Sequence, residues 1–104
     1  EAFQTQQDAT SFWRNSNTIA LGLNVPGPLG GYWILKILSE SNGIAVAAKE
    51  SSLEIKTENF RERTGIDASA EIGVVWSAYE ELREKKWITT GEKVVLFATG
   101  IERR

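Results

Sequence analysis

KVVLFATG, residues 93–100, decides the predicted fold, because it is an apolar run that ends in a threonine and a glycine. A short run of β-branched and aromatic residues is typical of a strand buried on both faces, as in a parallel sheet covered by helices. In such sheets ligands bind beyond the carboxyl ends of the strands. We therefore expect Thr99 to present its hydroxyl to a ligand, and Gly100 to let the chain turn and the ligand approach.

Helical and strand patterns alternate along the rest of the chain. Residues 1–17 are polar without a sustained period, which predicts an irregular N-terminal arm. Beyond the arm, the pattern predicts a short interior strand at 43–49 and helices at 28–41, 51–63 and 70–86. Alternation of this kind predicts right-handed crossovers and a parallel sheet. The predicted fold class is therefore α/β, with a small parallel sheet and flanking helices formed by residues 18–104 as part of a larger domain.

Each predicted helix has its own sequence signals. The first has Pro28 at a favourable first position and is apolar nearly all round, which predicts a buried helix. Ser51 and Glu54 form a capping-box pattern at the start of the second helix, and Gly65 ends it. The residues expected to face the core are Leu53 and Phe60 of the second helix, and Ile72, Val75, Trp76, Tyr79 and Leu82 of the third.

Composition limits the chemistry that the chain can perform. Its 104 residues are 41% hydrophobic and 25% charged with a formal net charge of -2, which suits one small globular domain and gives no electrostatic basis for binding nucleic acid. The absence of cysteine and histidine removes thiol nucleophiles, imidazole bases, disulfides and almost every zinc site. No apolar stretch approaches the roughly 20 residues that span a bilayer, so a cytoplasmic location without membrane contact is expected.

Two long segments carry a resemblance to a known family. TIALGLNVPGPLG (18–30), RTGIDASAEIGVVWSAYEELREKKWITTGEKVVLFATG (63–100) and the pattern between them resemble the C-terminal part of threonine synthase, from about Trp13 to Gly100. Threonine synthase is a pyridoxal-phosphate (PLP) enzyme of the tryptophan-synthase-β class, also called fold type II. Related dehydratases and cysteine synthases share TIA, the acidic helix start and the final TG. The combinations of TIALGL with VP and PLG, and of WITTGEKVVLFATG, favour threonine synthase.

The resemblance implies both an activity and a cofactor site. The complete enzyme would be a lyase that converts O-phosphohomoserine and water to threonine and phosphate, and this chain would belong to its large domain. Thr99 matches the residue that hydrogen-bonds the pyridine nitrogen of PLP, and Gly100 follows it. Ala20 matches a residue whose backbone runs beside the cofactor, and Glu71 matches the acidic residue at the start of the helix behind it.

Each of these residues also has a purely structural interpretation. Thr99 could cap the backbone of its own strand, Ala20 could be a small residue in a packed loop, and Glu71 could stabilise a helix N-terminus. The chain after Gly100 also departs from the family, because Ile101 and charged residues replace a small residue and a glycine.

The chain lacks other parts of the family site. The family forms a Schiff base between PLP and a lysine in its N-terminal half, and the lysines here, Lys36, Lys49, Lys56, Lys85, Lys86 and Lys93, lie outside any such motif. GPLGG (27–31) is not the family's phosphate loop and is more typical of a turn. We expect a catalytically silent fragment that binds no PLP covalently and either dimerises or pairs with a missing N-terminal region. The alternatives are a stand-alone, non-catalytic α/β module that uses an exposed sheet edge to interact, and a fragment of a related PLP dehydratase or cysteine synthase.

Overall fold

The structure, a computed structural model, describes residues 4, 14–25, 27 and 29–101. The chain divides into two compact units, one formed by Glu1–Asn17 and Asn24–Val46, the other by Thr18–Leu23 and Ala47–Arg104. The predictions for Pro28 and for most of the arm at 1–17 lie outside the described residues.

The first unit contains one helix among its described residues, α1 (Gly31–Glu40). A helix was predicted here, and Ser41 ends it by donating its backbone N–H to the carbonyl of Ile37 at 2.9 Å. The prediction that this helix is buried is wrong: Leu35 is buried, but Trp33 is 62% exposed and Ile37 is exposed as well. The described part of this unit has no second helix, so the apolar side chains of α1 have none to pack against within it.

The second unit contains α2 (Leu53–Thr64) and α3 (Ala70–Glu84). Short 3-10 turns lie at Leu21–Leu23 and at Glu50–Ser52, directly before α2. Both predicted helices are confirmed, and Gly65 ends α2 with the positive φ of 73° that glycine adopts readily. The predicted capping box is not formed, because Ser51 lies inside the preceding 3-10 turn and no side chain caps α2.

The core of the second unit lies between α2 and α3. As predicted, Leu53 and Phe60 of α2 are buried, and Ile72 is buried on α3. Trp76 packs edge-on against Phe60, with ring centroids 5.7 Å apart and an interplanar angle of 67°. Edge-to-face pairs of this kind add to the stabilisation from apolar burial. Two residues of the predicted apolar face of α3, Ile72 and Trp76, therefore pack in this core, whereas the other three, Val75, Tyr79 and Leu82, are half-buried.

The predicted α/β fold class is wrong for the described residues, which contain three α-helices and no strand. Residues 43–49 and 93–100 have no regular structure, and the one β-bridge in the described ranges is an isolated antiparallel pair between Ala68 and Ile101. Val95 is 81% exposed and Phe97 is 76% exposed, where the pattern predicts burial on both faces. A strand needs hydrogen bonds from a neighbouring strand, and an apolar run alone does not provide that partner.

The lengths of the helices bear on membrane insertion. Those described here have 10, 12 and 15 residues, whereas a transmembrane helix needs about 20 mostly apolar ones. Within the part of the chain that the structure describes, no helix is both long enough and apolar enough to cross a bilayer.

Candidate functional site at the start of α3

Three segments that are distant in sequence meet at the start of α3. The backbone N–H of Gly22 donates a hydrogen bond to Glu71 Oε1 at 2.6 Å. The backbone N–H of Ser69 donates to the carbonyl oxygen of Gly100 at 3.4 Å, and the bridge between Ala68 and Ile101 lies next to it. We call this region the α3 entry site and define it by Ala20, Ser69, Glu71, Thr99 and Gly100.

Glu50 holds the beginning of the 18–23 segment. Its Oε2 accepts a hydrogen bond from the hydroxyl of Thr18 at 2.6 Å, and its Oε1 accepts one from the backbone N–H of Ile19, also at 2.6 Å. The Thr18 hydroxyl oxygen in turn accepts from the backbone N–H of Ala20 at 3.1 Å. Hydrogen bonds to a carboxylate are stronger than those between neutral groups. Because of these contacts Ala20 lies in a fixed turn, where it is 0% exposed.

Glu71 holds the other end of this segment. Its carboxylate binds the Gly22 N–H from the first turn of α3, where a negative charge also stabilises the helix N-terminus. A Cβ at position 22 would lie only 2.7 Å from Glu71 Oε1, so a larger residue there would displace the carboxylate from this position. Glu71 therefore has the structural role that the sequence leaves open for it, at the N-terminus of a helix. It also makes a contact with a loop that the helix pattern does not predict.

Ser69 is a residue of this site that the sequence reasoning missed. It is 6% exposed, and its hydroxyl oxygen is buried without a hydrogen-bond partner among the described residues. It is the N-cap residue of α3 but makes no capping hydrogen bond through its side chain. A serine directly before an apolar-periodic helix is a recognisable N-cap signal and could have marked the position. A Cβ at position 100 would lie 2.6 Å from Ser69 Oγ, so the absence of a side chain at Gly100 makes room for this hydroxyl.

A cavity of about 380 Å³ lies beside the α3 entry site, and its lining residues are Ile19, Glu54, Thr57, Glu58, Arg61 and Ala70. Arg61 is already engaged, because its Nε donates to the carbonyl of Ala68 at 2.9 Å and its Nη1 lies 3.3 Å from Glu58 Oε2. Two carboxylates and one engaged guanidinium do not make a phosphate site. The charges of this cavity suit a neutral or cationic group instead.

Thr99 is exposed, and its hydroxyl makes no hydrogen bond to the described residues. It adjoins Gly100, whose backbone binds Ser69 at the start of α3. The structure thus places Gly100, Glu71 and the turn containing Ala20 around one helix start, with Thr99 at the solvent-facing side. Models of known protein families, curated proteins and solved structures were all compared with the chain, and none matches it.

Proposed function

We propose that this chain supplies the part of a threonine synthase that faces the pyridine ring of PLP, and that it does not catalyse the reaction alone. The whole enzyme would convert O-phosphohomoserine and water to threonine and phosphate in the cytoplasm. One observation carries the proposal. The resemblance places its site residues on three segments, and these segments meet at the α3 entry site: TIALGL, the acidic start of α3 and the final TG.

The hydroxyl groups of the site fit the ring of PLP. The Thr99 hydroxyl is exposed and has no described partner, so it can hydrogen-bond a pyridine nitrogen. The Ser69 hydroxyl at the same helix start also has no described partner, but it is buried, so Thr99 provides the ring contact in this proposal. PLP, when bound, supplies an electron sink, and a neutral hydroxyl partner leaves the ring nitrogen less protonated than a carboxylate would. Thr99 therefore sets both the orientation and the charge of the ring in this proposal.

The carboxylates of the site act on the protein backbone. Glu50 and Glu71 bind opposite ends of the 18–23 segment and so fix the turn that contains Ala20. A fixed backbone beside a planar ring excludes water and keeps the ring from tilting. Glu71 is thus a positioning residue, and its effect on the cofactor passes through Gly22.

Three contributions to the whole enzyme are assigned to residues outside this chain. No lysine here matches the family's cofactor-binding lysine, and the charges of the cavity beside the α3 entry site do not suit the cofactor phosphate. We therefore propose that the chain works with a region that supplies the lysine, the phosphate-binding loop and most contacts to O-phosphohomoserine. Related PLP dehydratases and cysteine synthases would use the same ring contact with a different substrate.

A ligand without an aldehyde tests the ring contact directly. Pyridoxine 5′-phosphate carries the ring and phosphate of PLP but cannot react with lysines, so a fluorescence titration reports only non-covalent binding. We expect saturable binding that Thr99→Ser retains and Thr99→Val weakens by about tenfold, the loss expected for one hydrogen bond to a polar ring atom. Thr90→Val removes a hydroxyl from another exposed threonine and should leave binding unchanged. The proposal is overturned if the wild-type chain does not bind or if Thr99→Val binds equally well.

An activity measurement tests the second half of the proposal. The chain with PLP and O-phosphohomoserine should release neither threonine nor phosphate. Threonine formed with this chain as the only protein would contradict the proposal that the chain does not catalyse the reaction alone. So would a PLP absorbance band that disappears when one lysine of the chain is replaced.

A further inference from the structure

A groove between the C-terminal half of α2 and the middle of α3 forms a second cavity. Its volume is about 350 Å³, and its lining residues are Arg63, Trp76, Tyr79, Glu80, Arg83 and Glu84. Pockets for small molecules begin at roughly 300 Å³ and combine aromatic walls with a few polar groups. The groove meets both conditions and shares no lining residue with the α3 entry site.

Two aromatic rings and two guanidinium groups are stacked in this groove. The rings of Trp76 and Tyr79 have centroids 5.3 Å apart and are tilted by 34°. The guanidinium carbon of Arg63 lies 6.0 Å from the Trp76 ring centroid, and that of Arg83 lies 5.7 Å from the Tyr79 ring centroid. Stacking on an aromatic face holds a guanidinium in place and leaves its N–H groups at the edge free to donate.

The carboxylates of the groove do not neutralise these arginines. Glu80 is paired with Lys56, whose Nζ lies 2.7 Å from its Oε1. Among the described residues, neither Arg63 nor Arg83 contacts a carboxylate, and the hydrogen bond of Arg83 goes to the Tyr79 hydroxyl at 3.3 Å. The two guanidiniums together outweigh the remaining charge of Glu84, so the groove is locally cationic in a chain whose formal net charge is -2.

The surrounding charges behave as ordinary surface charges. The sequence pattern predicts that the charged residues between positions 80 and 86 form a solvated, mutually paired helix face, and the pair between Lys85 and Glu81 at 3.2 Å agrees with that. These residues are Glu80, Glu81, Arg83, Glu84, Lys85 and Lys86. Arg83 lies within the same run and binds a tyrosine in the groove instead. Two cations held against aromatic rings without acidic partners offer hydrogen-bond donors to an anionic group and an apolar wall to a ring that bears it.

We propose that this groove binds a small aromatic anion, a planar ring that bears a phosphate or a carboxylate. The ring of the ligand packs against Trp76 and Tyr79, and its anionic group accepts hydrogen bonds from Arg63 and Arg83. The inference goes beyond the proposed enzyme function, because it assigns a second ligand site to a surface that takes no part in holding PLP.

Nuclear magnetic resonance of the ¹⁵N-labelled chain provides the test, with phenyl phosphate and benzoate as the probes. Each of the four tryptophans contributes one indole N–H signal, and a Trp76→Phe variant identifies the signal of Trp76. We expect at least one probe to shift that signal saturably, with a dissociation constant on the order of 1 mM for so small a ligand. Phenol and inorganic phosphate, which carry the ring and the anion separately, should shift it far less.

Charge variants decide whether the arginines recognise the anion. Arg63→Gln and Arg83→Gln should each weaken binding by about tenfold, because each removes a charge-assisted donor. Lys93→Gln removes the same charge outside the groove and should change nothing. The proposal is overturned if neither probe binds, if phenol binds equally well, or if Lys93→Gln weakens binding as much as the arginine variants do.

The same variants separate this site from the PLP contact, since pyridoxine 5′-phosphate is itself an aromatic phosphate. Binding of that ligand that depends on Thr99 and not on Arg63 belongs to the α3 entry site. Binding that depends on Arg63 and not on Thr99 belongs to the groove, and would support the second site while overturning the first.

Discussion

The backbone N–H of Gly22 donates a 2.6 Å hydrogen bond to Glu71 Oε1, a contact that joins residues separated by 49 positions in sequence. It attaches the 3-10 turn at Leu21–Leu23 to the first turn of α3. With Glu50 bound at the other end of the segment, the two carboxylates hold a turn that has no regular secondary structure beyond three residues. The geometry around Ala20 therefore depends on side chains more than on the backbone pattern of the segment itself.

Glu71→Ala should loosen this segment. We expect faster amide hydrogen exchange at Gly22 and a loss of about 1 kcal/mol in the free energy of unfolding, since a partly exposed hydrogen bond to a carboxylate is removed. Glu62→Ala is the matched control, because Glu62 is an exposed helical glutamate with no contact among the described residues. Unchanged exchange at Gly22 in Glu71→Ala would show that the contact does not hold the turn.

Ser69 and Gly100 form a pair that a double-mutant cycle can test. Because the hydroxyl of Ser69 is buried without a described partner, Ser69→Ala should leave stability unchanged or raise it by up to about 1 kcal/mol. Gly100→Ala should cost about 1–3 kcal/mol, because the new Cβ would lie 2.6 Å from Ser69 Oγ. That cost should shrink in the Ser69→Ala background, as measured by chemical denaturation.

The control for this cycle is Gly30→Ala, where a new Cβ meets nothing within 4 Å. Its effect should be the same with serine or alanine at position 69. Equal costs of Gly100→Ala in both backgrounds would contradict the close approach of Ser69 and Gly100.

Gly73 allows α2 and α3 to pack closely. A Cβ there would overlap Thr57 Oγ1 and lie 3.1 Å from the carbonyl oxygen of Leu53. Alanine gains about 1 kcal/mol in helix propensity over glycine, but overpacking of a tight contact costs about 1–3 kcal/mol. We therefore expect Gly73→Ala to lower the midpoint of urea denaturation, and Thr57→Ala to restore part of the loss. A midpoint above that of the wild type would mean that the helices can separate at little cost.

The helices could be predicted from the sequence because their signals are local. Gly65 can adopt the positive φ that ends α2, and the apolar spacing from Ile72 to Leu82 repeats within α3. The strands could not be predicted in the same way, since an extended segment becomes a strand only beside a partner. Residues 93–100 have the composition of a buried strand. Within the described ranges, however, the β-pairing next to this segment is limited to the isolated bridge at Ile101.

Only part of the candidate site could be predicted from the sequence. Ala20, Glu71 and Gly100 were selected by resemblance, and the structure brings their segments to one helix start. The contacts of Glu50 and the buried hydroxyl of Ser69 could not be predicted, because each depends on a loop approaching from a distant part of the chain. Patterns within a window identify elements, whereas contacts between loops depend on the tertiary fold.

Glu92 gives a prediction about pH. Its carboxylate accepts hydrogen bonds from the hydroxyl of Thr89 at 2.6 Å and from the backbone N–H of Thr89 at 3.0 Å. These bonds lower the pKa of Glu92 below its ordinary value of 4.5, and the bond from the hydroxyl has the larger effect. A lowered pKa in the folded state means that the contribution of Glu92 to stability is present above the unfolded pKa and is lost as pH falls through the folded one. Glu92→Gln should therefore lower the melting temperature slightly at about pH 7, and this difference should shrink as the pH is lowered towards about 3, in thermal scans by circular dichroism. Glu62→Gln removes the same charge from an exposed position without these hydrogen bonds and should not lower the melting temperature at about pH 7. A Glu92→Gln difference that stays constant over that pH range would show that the Thr89 contacts do not favour the charged carboxylate.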